Sequence, residues 1–167
     1  DLQSRKNGVE TVNLNEIHSY QRCIPLLGNM KKVHLNNWSL KGGNLHHLSR
    51  VPDLDLKSVS LSSEHILVSL EKVRTIDFSR CSDLTDLGVS FLKEVHTLKI
   101  NYCSRIKGST FSSLERIHTL ELVGCKDVNN LSISHLKGIH TLDLSFCKEI
   151  TDDAFIYLMG VHTLILT

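Results

Sequence analysis

The sequence of 167 residues holds 19 Lys and Arg against 18 Asp and Glu, a formal net charge of +1, with 41% apolar residues, two Pro and nine Gly. That apolar content suffices for one packed domain and excludes a disordered chain. The balanced charge leaves no basic footprint for nucleic acid and no Lys/Arg run for an anionic lipid surface, and no apolar stretch approaches the ~20 residues of a membrane span.

Residues 1–10 are polar and lack the apolar core of a signal peptide. The five Cys are an odd number, unlike a secreted disulfide framework. An intracellular, cytoplasmic setting is therefore expected. The sequons Asn37-Trp38-Ser39 and Asn130-Leu131-Ser132 are read as chance matches.

A repeat organises the chain. Units start at Val9, Met30, Val51, Val73, Val95, Ile117 and Ile139, with a truncated unit at Val161. The last four openings read Val95-His96-Thr97-Leu98, Ile117-His118-Thr119-Leu120, Ile139-His140-Thr141-Leu142 and Val161-His162-Thr163-Leu164. Positions are counted from the first apolar residue of each unit. Position 4 is Val12, Val33, Leu54, Ile76, Leu98, Leu120, Leu142 and Leu164, and position 6 is Leu14, Leu35, Leu56, Phe78, Ile100, Leu122, Leu144 and Leu166. This alternation predicts a strand with one buried face.

Position 9 is Ile17, Trp38, Val59, Cys81, Cys103, Cys125 and Cys147, and it marks a turn. Apolar residues then fall three apart, at Val89, Phe111, Ile133 and Phe155 and at Leu92, Leu114, Leu136 and Leu158. Such spacing predicts a short helix, with Thr85 and Thr151 as N-caps. One unit cannot bury its apolar face alone, but stacked units can. The expected fold is therefore α/β: one right-handed βα solenoid over residues 1–167, with a single parallel sheet inside and short helices on the convex side.

The runs Leu142 to Asp152 and Cys81 to Asp86, of the form L-x-L-x-x-C-x-x-I-T-D, resemble the cysteine-containing leucine-rich repeats of F-box/leucine-rich-repeat proteins. That resemblance implies a protein-binding arc and, in its narrower form, the substrate-recognition part of a ubiquitin-ligase receptor. No F-box-like module lies among the residues before Val9.

Several features bear on chemistry. The Cys column runs along a line, not around the tetrahedron zinc needs, and reads as buried thiols. His96, His118, His140 and His162 form a column at position 2, read as a stacked polar row. Gly42-Gly43 reads as a turn, since no phosphate-loop spacing surrounds it. No nucleophile–base set appears, so no catalysis, cofactor or metal is expected. Of the exposed strand positions 3, 5, 7 and 8, position 3 is Thr in every unit from Val73 on and reads as structural, whereas 5, 7 and 8 vary from unit to unit. They mark a protein-binding surface, with Arg80, Tyr102 and Phe146 as anchors and Asp77, Lys99, Glu121 and Asp143 setting orientation. A purely structural spacer is the alternative. The strand at Val161 to Thr167 carries no helix after it, so end-to-end association through that edge is also expected.

Overall fold

A computed structural model describes residues 10–15, 18–40, 45–70, 72–136 and 138–167, leaving the side chains of residues 18–21 aside. Val9, Ile17 and Gly42-Gly43 lie outside the described residues.

Eight short strands form one sheet, all parallel: β1 (Thr11–Asn13), β2 (Lys32–His34), β4 (Asp53–Asp55), β6 (Thr75–Asp77), β7 (Thr97–Lys99), β8 (Thr119–Glu121), β9 (Thr141–Asp143) and β10 (Thr163–Ile165). Each strand covers positions 3 to 5, and every strand pairs with the next in the same register, as in Thr97↔Thr119 and Leu98↔Leu120. The ladder continues past the strands. The position-6 N–H donates to the position-5 carbonyl of the next coil, as Phe78 does to Lys99 at 2.7 Å. The position-8 N–H donates to the position-7 carbonyl of the next coil, as Tyr102 does to Val123 at 2.7 Å. A second, two-stranded parallel sheet joins β3 (Ser39–Leu40) to β5 (Ser60–Leu61).

The alternation at positions 4 and 6 builds the core. Leu54, Ile76, Leu98, Leu120 and Leu142 are fully buried, as are Leu56, Phe78, Ile100 and Leu122. Val89, Phe111 and Ile133 close the core from the helical side. Phe155 departs from this column: it is half-exposed, on the outer side of the last coil, while its neighbour Ala154 is buried.

The expected short helices are present, in two kinds. Among the described residues, only α1 (Asp86–Ser90) and α2 (Asn130–Ile133) are α-helical. The other return segments, including Glu64–Leu70, Phe111–Ser113 and Asp152–Tyr157, are 3-10 helices. Neighbouring strands stand about 4.8 Å apart, whereas packed α-helices need 8–10 Å. A slimmer helix that rises ~2.0 Å per residue spans the return in fewer residues and crowds its neighbours less. The sequence spacing of three already matches it.

Caps bind each coil to the next. The Asp86 carboxylate accepts the backbone N–H groups of Lys107, Gly108 and Ser109 and the Ser109 hydroxyl. Glu64 receives the Thr85 hydroxyl at 2.8 Å and the Gly88 N–H at 3.2 Å. Thr85 caps α1 as expected, accepting the Leu87 N–H. Thr151 does not cap its helix. Its hydroxyl instead accepts the Asn130 side-chain amide at 2.7 Å.

Candidate protein-binding face

The solvent face of the sheet is built from positions 5, 7 and 8. After position 7 the chain must turn off the sheet, and it does so through a left-handed residue at position 8. Asn37, Ser58, Arg80, Tyr102 and Phe146 have φ between 55 and 64°, and Gly124 has φ 68°. Position 8 is therefore a backbone requirement first and a side-chain display second. Asn and Gly are the residues that enter this region most readily, and Asn37 and Gly124 were its only sign in the sequence.

Position 7 is partly internal. Ser79 and Ser145 are buried, contrary to their expected exposure, because the chain is already curling towards the turn. The position-7 N–H usually bonds to a side chain. Asp77 accepts it from Ser79 at 2.9 Å and Asp143 from Ser145 at 3.0 Å. Asn36 accepts it from Lys57 and Asn101 from Val123, at 3.0 and 2.8 Å.

Charges pair across the face. Lys99 meets Glu121 at 2.7 Å, and Asn101 donates to the same carboxylate at 3.0 Å. Lys57 lies between Asp77 at 3.3 Å and Asp55 at 3.6 Å. Burial alone would lower the Lys57 pKa, but the Asp77 and Asp55 charges and hydrogen bonds hold it above its ordinary value. Asp55 is buried and takes the His34 ring at 2.8 Å and the Asn36 amide at 3.3 Å. Burial pushes its carboxyl up. The His34 and Asn36 hydrogen bonds, with the Lys57 and His34 charges, outweigh that and hold it below the usual range.

Arg80 makes no ion pair among the described residues, and its Cζ sits 5.8 Å from the centre of the Tyr102 ring. A depression of about 570 Å³ opens here, lined by Asp77, Ser79, Arg80, Lys99, Tyr102 and Glu121 among others. The structure thus brings together five of the seven residues marked from sequence. Asp143 and Phe146 lie outside this depression, and Phe146 borders a smaller apolar hollow with Phe155 and Leu166. Sequence reading passed over Asn36, Asn37 and Lys57, which line the same depression. Carrying the position-5, -7 and -8 columns back into the units at Met30 and Val51 would have found them.

Two columns flank the face. The rings of His96, His118, His140 and His162 stack with centroids 4.7, 4.3 and 4.4 Å apart and planes within 14° of parallel. In the turn, each Cys thiol donates to the position-6 carbonyl of the preceding coil. Cys81 reaches Leu56, Cys103 Phe78, Cys125 Ile100 and Cys147 Leu122, at 3.1 to 3.3 Å. Burial pushes the Cys81, Cys103 and Cys125 thiols up to about 12, and raises Cys147 as well. Trp38 fills the same place with its indole N–H, 2.8 Å from the Leu14 carbonyl. Among the described residues, no three His, Cys, Asp or Glu side chains are placed to hold a metal ion, and no helix is long and apolar enough to cross a membrane.

No protein-family model matches the sequence, and no curated protein does. Solved structures match the fold. A leucine-rich-repeat protein of Leptospira interrogans superposes with a TM-score of 0.72 at 15% identity, over 98% of this chain and 45% of that one. TLR13, from the TLR13–ssRNA13 complex, gives 0.68 at 17% identity, over 100% of this chain and 27% of that one. Internalin C2 of Listeria monocytogenes gives 0.65 at 16% identity, over 99% of this chain and 84% of that one. The chain therefore spans less than half the length of the first two proteins. At these identities the likeness establishes the leucine-rich-repeat fold.

Proposed function

We propose that this leucine-rich-repeat chain, one repeat domain over residues 1–167, is a protein-interaction module and not an enzyme, and that it holds its partner on the solvent face of the sheet. The observation that carries this reading is the depression over the coils of β2 to β8. There, Arg80 and Tyr102 are exposed on a rigid scaffold while most other charges are paired. Aromatic and Arg side chains dominate binding energies because they desolvate large areas. An intracellular, cytoplasmic site of action is part of the proposal, supported by the odd number of cysteines and by their being free thiols. A ubiquitin-ligase receptor is its narrower form, supported by the resemblance in Cys81 to Asp86 and Leu142 to Asp152.

The alternative, a structural spacer with no dedicated ligand, is favoured by the internal bonds of Asp77, Lys99, Glu121 and Asp143. The two separate when a photo-crosslinking residue is placed at 102 on the sheet face, or at 87 on the exposed helical face. A binding module crosslinks one partner from 102 and not from 87. The purified partner should then lose affinity for the Tyr102→Ala/Phe146→Ala variant at an almost unchanged melting temperature. Equal crosslinking from both positions, or undiminished affinity, would remove the reading.

A further inference from the structure

The depression holds a specific set of unsatisfied groups. Asp77 is spent on Lys57 and the Ser79 N–H, and Glu121 on Lys99 and Asn101. Asn101 and Asn36 each use their side-chain oxygen on a backbone N–H of the next coil. Among the described lining residues, this leaves the Arg80 guanidinium without a carboxylate. Beside it in the chain, Ser79 is 7% exposed, lines the depression, and has a hydroxyl without a hydrogen-bond partner. The Tyr102 ring, half-exposed, lies next to the guanidinium.

We propose that this depression receives an acidic side chain of a partner polypeptide, its carboxylate on the Arg80 guanidinium and its neighbouring apolar residue on the Tyr102 ring. The proposal rests on the sheet face being a protein-binding surface and names the chemistry that face recognises.

Charge decides the class of occupant. Lys57, Arg80 and Lys99 carry three positive charges, and the two lysines are already matched by carboxylates. Arg80 is the one of the three with no carboxylate in contact among the described residues, and one unpaired guanidinium suits one monoanion. A nucleic acid needs several unpaired cations, since its affinity is built from many phosphate contacts, and a phosphate dianion would sit near Asp77 and Glu121 with one cation to balance it. The guanidinium fork accepts a carboxylate through two parallel N–H bonds in its own plane. Its faces stay available for the ring. The volume of about 570 Å³ falls within the range of ordinary ligand sites, ample for one acidic side chain and its neighbours.

The test uses the whole chain and the peptide Gly-Ser-Phe-Glu-Phe-Ser-Gly with its Gln and Lys counterparts, titrated at low salt while the Arg80 and Tyr102 signals are followed by two-dimensional NMR. The Glu peptide should bind about tenfold more tightly than the Gln peptide, the size of one charge-assisted pair. Arg80→Gln should erase that difference, leave the Gln peptide unaffected and keep the melting temperature. Arg80→Lys should restore part of it. Equal affinity for Glu and Gln peptides, a preference that survives Arg80→Gln, or tighter Arg80-dependent binding of oligouridylate would each overturn the proposal. If the Glu preference is absent while the crosslinked partner still depends on Tyr102, this inference fails alone. If that dependence is also absent, the binding-face reading fails with it.

Discussion

The Tyr102 ring lies against the backbone of Gly124 one coil on, so closely that a Cβ at 124 would stand 2.6 Å from its Cδ1 and Cε1. The space over Gly124 is thus roofed by an aromatic ring. Glycine is required there twice, by contact and by a φ of 68°. We expect Gly124→Ala to cost about 1–3 kcal/mol, from left-handed strain and a displaced ring. Adding Tyr102→Ala should recover the contact part, a coupling of order 1 kcal/mol in a double-mutant cycle. Additive costs in thermal melts would show that the ring does not press on 124.

The thiol column predicts a split in reactivity. In native protein at pH 8, Cys81, Cys103, Cys125 and Cys147 should resist a thiol reagent, because burial holds the protons on the sulfurs and the thiolate is the nucleophile. Unfolded protein without reductant should titrate all five cysteines. Cys125→Ala should cost about 1–2 kcal/mol, from a lost donor and a small void. Rapid native labelling of Cys125, located by peptide mapping, would contradict the burial.

Acid should weaken the fold through the imidazole stack. Partial burial and the neighbouring His118 and His162 rings lower the His140 pKa from its ordinary value. The unfolded chain then binds protons more readily, so stability declines as pH drops through the ~6.5 of an unfolded histidine towards the lower folded value. The melting temperature should be lower at pH 5.5 than at 7.5, and His140→Gln should narrow that difference. A flat profile between those values would show the rings titrating independently.

The Asp86 carboxylate should act as a cap for a coil that is not its own. It satisfies three backbone donors at the start of the next turn. Asp86→Ala should lose about 1–2 kcal/mol, in the range of a lost N-cap, with Asp86→Asn recovering part. Hydrogen exchange should quicken first at Lys107, Gly108 and Ser109, and unchanged protection there would count against the cap.

The fold was legible because the register at positions 4 and 6 is a statement about burial, which side-chain identity records. The thiol column was legible as buried, but its role as donor to the preceding coil was not, since Trp38 and Cys81 share it without sharing a shape. Backbone conformation was recorded least. Arg80, Tyr102 and Phe146 looked like free choices because nothing in an Arg or an aromatic announces a positive φ. The helix type was not legible for a related reason: apolar spacing of three suits both helices, and packing against close neighbours decides between them.

Most of the caps, the thiol bonds and the sheet bonds run between neighbouring coils at offsets of 20 to 25 residues, as between Cys125 and Ile100 and between Asp86 and Gly108. Such wiring gives the gene a grammar. Removing or duplicating one whole unit between, say, Val95 and Ile117 would rejoin every column to an equivalent partner. A deletion of a single residue inside a strand would instead turn Leu98 and Ile100 outward and shift each donor off its acceptor. Length variation among homologues of this chain should therefore arrive in whole coils, with smaller insertions confined to the turns.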